Sequence, residues 1–129
     1  MKIMIVDDDA TTLRIVSAVL ESRGHRVVER GTAIGTTVSI LREKPDVVLL
    51  DVRMPGLAGD KLAALIGQEA KSRPIVIFHS SLPARELEGL VRSTGAAGFV
   101  PKGVPPAVFL AEFDGLVSAA QRASARKHA

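Results

Sequence analysis

Five short apolar runs, separated by stretches of helical period, predict a doubly wound parallel α/β fold. Three observations carry this reading. The runs at residues 2–6, 47–50 and 75–78 are almost wholly apolar, as strands buried on both faces are. Between the runs, apolar residues recur at spacings of three and four. Glycine or proline punctuates each change of period after the first, which falls at Asp7-Asp8-Asp9. A β-α unit repeated five times predicts a parallel sheet covered by helices on both faces, with right-handed crossovers.

The elements follow in order. Strand β1, residues 2–6, ends at Asp7-Asp8-Asp9. Helix α1 is expected to be capped by Thr11 or Thr12, with Leu13, Val16 and Leu20 on its apolar stripe and Ile15 and Val19 beside it. Gly24 stops it by supplying a left-handed position. Strand β2 is placed at residues 25–29 around Val27-Val28, and Gly31 and Gly35 mark the next connection. Helix α2, residues 36–43, draws its apolar surface from Val38, Ile40 and Leu41. Strand β3, residues 47–50, leads to Asp51 and the turn at Pro55-Gly56. Helix α3 is predicted from Gly59-Asp60 through Leu62, Leu65 and Ile66 to about residues 69–71. Strand β4, residues 75–78, is ended by Ser80-Ser81. Pro83 suits the first turn of α4, which buries Leu87, Leu90 and Val91 and closes at Gly95. Strand β5, residues 96–100, precedes Pro101-Lys102-Gly103. Pro105 or Pro106 starts α5, with Val108, Phe109, Phe113, Leu116 and Val117. One domain is expected over residues 1–120, with a basic tail at 121–129 that frays.

Composition narrows the function classes. The chain has 129 residues and 47% hydrophobic content, which fits a globular domain and excludes wholesale disorder. No cysteine is present, so disulfide and thiolate chemistry are excluded. The apolar start is too short for a signal peptide, and no run approaches a membrane span, so a cytoplasmic protein is expected. The net charge of +3 comes from Arg122, Arg126 and Lys127 in the tail. No aromatic residue interleaves with them as a stacking platform would require, so direct nucleic-acid binding is not expected.

Polar groups gather after the strands, where chemistry collects in open α/β sheets. β1 delivers Asp7, Asp8 and Asp9; β3 delivers Asp51; β4 delivers Ser80 and Ser81; β5 leads to Lys102. Carboxylates held close together repel unless protonated or neutralised. Mg²⁺ is a hard cation that takes oxygen ligands and keeps several waters, which leaves room for phosphate oxygens. A nucleophilic carboxylate, a metal, a lysine and a hydroxyl donor are what an aspartyl phosphate needs. The plainer alternative for Asp51 is a cap or a surface loop acid. Gly31 and Gly35 lack the spacing of a phosphate-cradling glycine loop, and His25 and His128 lack metal-site partners.

With these residues in place, the chain resembles the response-regulator receiver domains of bacterial two-component signalling. The resemblance covers residues 2–120 and rests on Asp7-Asp8, the run from Asp51 through Met54-Pro55 to Gly59, Ser80 and Lys102. It implies a flavodoxin-like five-stranded sheet of order 2-1-3-4-5. It implies Asp51 as phosphoacceptor, with Mg²⁺ held by Asp8, Asp7, Asp51 and the Arg53 carbonyl. Lys102 would pair with the phosphoryl group and Ser80 would move toward it. Phe99 would occupy the place of the switch aromatic, the plainer alternative being core filling. Counting forward from Pro74 offers His79 for the hydroxyl position; counting back from Lys102 selects Ser80, with His79 as a partly buried last strand residue.

The implied phosphoryl donor is a histidine kinase or a histidine phosphotransfer protein. The implied output is docking of a downstream protein, or a phosphorylation-linked dimer, on the α4-β5-α5 face. A pseudoreceiver that binds protein without phosphate is the alternative. Aspartate-nucleophile phosphatases need a second carboxylate two residues after the first; Arg53 stands there, which argues against an independent hydrolase. Arg53 and Leu82, which offers no obvious way to orient water, imply slow autodephosphorylation. The family often places proline after the lysine with a cis bond; here Gly103 follows Lys102.

Overall fold

A computed structural model describes residues 1–54 and 74–127. The predicted helix α3 lies outside the described residues. The strands are β1 Lys2–Val6, β2 Arg26–Arg30, β3 Val47–Leu50, β4 Ile75–Ser80 and β5 Gly98–Pro101. All pair in parallel, in the order β2-β1-β3-β4-β5. This is the flavodoxin-like receiver topology. The described helices are α1 Ala10–Glu21, α2 Thr36–Glu43, α4 Ala84–Thr94 and α5 Pro106–Lys127.

The sheet separates two cores. Ile3, Ile5, Leu49, Ile77 and Val100 pack against Leu13, Val16 and Leu20 of α1 and Phe109, Phe113 and Val117 of α5. On the other face Met4, Val6, Val48, Leu50 and Phe78 pack against Leu87 of α4 and Ile40 of α2. Residues 47–50 are all buried because β3 has covered faces on both sides. β2 is an edge strand, and its Arg26, Glu29 and Arg30 blunt that edge against pairing with another chain.

Several local expectations shift. Asp9, not Thr11 or Thr12, caps α1: its carboxylate accepts from the Thr11 N–H at 3.0 Å and from the Thr12 hydroxyl at 2.9 Å. On α1, Ile15 faces solvent. On α2, Val38 and Leu41 are exposed while Thr36 and Ser39 are buried. The reason is polar: Arg30 donates to Ser39 Oγ at 3.1 Å and to the Ile34 carbonyl at 2.6 Å, so the helix turns its hydroxyl side inward. Pro83 is the N-cap of α4 rather than part of its first turn.

Helix α5 does not end at Ala120 but runs to Lys127. Residues 121–126 are exposed, and Gln121 Nε2 donates to Met1 Sδ at 4.0 Å. Their alanine, arginine and glutamine carry high intrinsic helix propensity, which an apolar-period reading does not detect.

Candidate functional site

The strand register builds the site. Ile5, Leu49 and Ile77 lie side by side on the α1/α5 face. Side chains two residues further along each strand point the same way. That rule places Asp7, Asp51 and His79 in one row at the carboxyl edge. Val100 pairs with His79, and Lys102 follows two residues later. The row is closed by backbone hydrogen bonds. Asp7 N–H donates to the Arg30 carbonyl at 3.0 Å, Asp51 N–H to the Val6 carbonyl at 2.9 Å, and Lys102 N–H to the Ser80 carbonyl at 3.0 Å.

Asp7, Asp8 and Asp51 each offer a carboxylate oxygen within 4.8 Å of the others. Asp7 and Asp51 are buried and Asp8 is exposed. Lys102 Nζ lies 2.8 Å from Asp7 Oδ2 and 3.0 Å from Asp51 Oδ2. Asp51 Oδ1 accepts from the Arg53 N–H at 2.9 Å, and Asp7 Oδ1 from the Asp9 N–H at 2.9 Å. Asp7 Oδ2 makes no hydrogen bond; the ammonium beside it sits off the hydrogen-bonding direction. A buried carboxylate oxygen left in that condition fits a hard cation, as does the all-oxygen donor set.

The electrostatics follow from burial and neighbours. Burial raises the pKa of Asp7 above the usual carboxylate value, against the opposing pull of Lys102, and the Asp51 charge adds to the rise. Burial acts to lower Lys102, but its contacts with Asp7 and Asp51 outweigh it and hold the ammonium above its ordinary value. Burial, and then the Lys102 charge, push His79 down to about 4. Asp9 is lowered by its Thr12 and Thr11 hydrogen bonds.

The other predicted residues lie around this row. Ser80 is the last residue of β4, fully buried; its Oγ accepts from the Leu82 N–H at 3.2 Å. It lies two residues beyond Phe78, on the α2/α4 face. Phe99 pairs in register with Phe78 on that same face and is half-buried. It lines two open clefts, one of about 400 Å³ between β5 and α5 and one of about 300 Å³ between α4, β5 and α5. Arg53 is exposed beside Asp51. Gly103 has φ of 90°, which proline could not adopt, so the glycine after Lys102 shapes this loop in its own way. The structure contains no cis peptide bond among the described residues.

The sequence reading gave His79 as a partly buried last strand residue and did not place it beside Asp51; it is buried, and Ser80 ends the strand. His79 shares the face and register of Asp51, and the signal was present in the spacing from Ile77.

A parallel sheet that gathers three acids and a lysine at its carboxyl edge defines a class of phosphoryl-accepting signalling domain. The comparisons name the family. Residues 3–114 match the family model "Response regulator receiver domain". The chain is 33% identical to Protein PilH of Pseudomonas aeruginosa, over 80% of this chain and 86% of that one. It is 36% identical to the transcriptional regulatory protein RstA of Escherichia coli, over 84% of this chain and 45% of that one. The beryllofluoride-activated receiver domain of Klebsiella pneumoniae RstA superposes with a TM-score of 0.81 at 29% identity, covering 91% of this chain and 98% of that one. The chain spans 17% of a matching two-component response regulator of Arabidopsis thaliana and under half of Escherichia coli RstA. The chain belongs to the response-regulator receiver family, and it is a phosphorylation-competent receiver with an aspartate-cluster active site. Among the described residues no helix is long and apolar enough to cross a membrane.

Proposed function

We propose that Asp51 accepts the phosphoryl group, with Mg²⁺ held by Asp7, Asp8, Asp51 and the Arg53 carbonyl. The observation that carries this is the cluster itself: three carboxylates within 4.8 Å, with Lys102 3.0 Å from Asp51 Oδ2. When bound, the metal supplies positive charge against the phosphoryl oxygens. The Asp51 carboxylate forms the new O–P bond. The bond from phosphorus to the donor breaks, and its electron pair leaves with the donor. Lys102 stabilises charge on the transferred group, as a preformed cation in a partly buried site does. The Arg53 N–H orients Asp51 through Oδ1.

Ser80 is the hydroxyl that reports the change, in preference to His79, because it ends β4 beside the Lys102 backbone. Phe99 passes it to the α4-β5-α5 face, where a downstream protein or a second copy docks. The donor is a histidine kinase or a histidine phosphotransfer protein, in the cytoplasm. Exposed Arg53 and apolar Leu82 make autodephosphorylation slow. The complete acidic cluster and its lysine favour this reading over a phosphorylation-independent binding module.

Incubation with acetyl phosphate and Mg²⁺, followed by intact mass, tests the proposal. One phosphoryl adduct on the wild type, absent in Asp51→Asn and absent without Mg²⁺, is expected. An unmodified wild type under these conditions would overturn it.

A further inference from the structure

His79 is a buried imidazole for which the phosphoryl chemistry has no use. Its Nδ1 is buried without a hydrogen-bond partner. Such atoms are rare, because an unsatisfied buried polar group costs stability. The register sets His79 beside Asp51 on the α1/α5 face, and both Asp51 and Lys102 act electrostatically on it.

The ring does not end in featureless core. Its edge meets Phe109 of α5, with centroids 5.5 Å apart and planes at 72°. Phe109 stacks on Phe113, one helical turn on, at 5.8 Å and 17°. Phe113 in turn meets the edge of His25 at 6.4 Å and 64°. Four rings therefore run in contact from the acidic edge of the sheet to the opposite edge, where β2 begins. Ser80 and Phe99 lie on the other face.

We propose that His79 is a positioning residue that couples the acidic site to α5 through the rings of Phe109, Phe113 and His25. The physical reason is that packing, not hydrogen bonding at Nδ1, holds the imidazole. Phosphorylation adds negative charge to Asp51 and draws on Lys102, the two charges that act on His79. The ring turns against Phe109, and the stack carries the displacement along the buried face of α5. This gives the site a route to α5 separate from the Ser80–Phe99 side of the sheet. The inference rests on Asp51 being the phosphoacceptor.

The test uses side-chain NMR of the full chain with Mg²⁺, before and after beryllofluoride. In the wild type, the ring signals of His79, Phe109, Phe113 and His25 are expected to move together. His79→Leu should still take up beryllofluoride, read by shifts at the Lys102 and Ser80 amides. Its Phe113 and His25 ring shifts should fall to less than half of the wild-type change. His79→Phe, which keeps a ring, should restore them, and Phe109→Leu should lose them at a second point in the stack. A merely structural role for His79 would not move the His25 response.

Beryllofluoride uptake with Phe113 and His25 unmoved, or with His79→Leu responding as the wild type does, would overturn the inference and leave the phosphoacceptor reading intact. No response anywhere in the wild type would overturn that reading and this inference with it.

Discussion

The two ends of the sheet use the same residue types for opposite purposes. At the amino edge, Asp46 Oδ2 accepts from the Lys2 N–H at 2.8 Å, and Lys2 Nζ pairs with Glu43 at 2.7 Å. The pairing with Lys2 lowers the Glu43 pKa. At the carboxyl edge, Lys102 also sits between acids, yet burial raises Asp7 and leaves its Oδ2 without a hydrogen bond. Solvent makes the difference. An exposed acid beside a lysine is content as an anion; a buried pair of acids sharing one lysine has more negative charge than the protein neutralises. The amino edge is therefore closed chemistry, and the carboxyl edge carries the clustered carboxylates typical of Mg²⁺-dependent receivers.

Lys102→Met breaks this contrast most. It removes the lysine that contacts both buried acids, and phosphoryl uptake from acetyl phosphate is expected to fall about 10²–10³-fold. A fall of less than about tenfold would show that Lys102 is dispensable to charge stabilisation.

The next effect is in pH. His79 has a folded pKa of about 4, below its unfolded value. A depressed group binds fewer protons when folded, so the unfolded state gains as pH falls from about 6.5 towards 4. On the order of 3 kcal/mol of stability is lost across that window. His79→Leu should flatten this part of a urea-unfolding series run between those pH values. Asp7 has the opposite sign. Its raised pKa means that stability is fully present below the unfolded value and is lost as pH rises through the folded one.

Asp7→Asn sharpens the contrast from the other side. Replacing this buried anion, whose charged form burial disfavours, with a neutral amide should stabilise the metal-free protein by roughly 1 kcal/mol. The same change should abolish the rise in melting temperature that Mg²⁺ gives the wild type. A destabilised Asp7→Asn would mean that the Lys102 ion pair outweighs the cost of burial.

At the amino edge, Asp46→Ala should cost about 1 kcal/mol for one lost backbone cap. Glu43→Gln should leave the melting temperature unchanged within measurement, because a partly exposed surface pair contributes little and salt screens it.

Much of this was legible in the sequence because it depends on period and position. The runs at β1, β3 and β4 buried as their composition demands, and the acids and lysine after them meet at one edge. What was not legible depends on competition between neighbours. Thr12 is a good cap in isolation, but Asp9 takes that role and the Thr12 hydroxyl donates to it. Val38 and Leu41 suit a buried stripe, but Arg30 draws Ser39 inward instead. His79 falls next to Ser80 along the chain, yet successive strand residues face opposite sides of the sheet, so the two belong to different cores.

The length of α5 has a mechanical consequence. Its last buried anchor is Val117, and the helix continues to Lys127. At 1.5 Å per residue the portion beyond that anchor is a stiff arm about 15 Å long. A tilt of about 5° at the buried end swings the tip by roughly 1.3 Å, given that length. Displacements too small to reorganise the core would be amplified at Arg126, carried on a lever whose fulcrum is the buried Val117, one helical turn beyond the stack of Phe109 and Phe113.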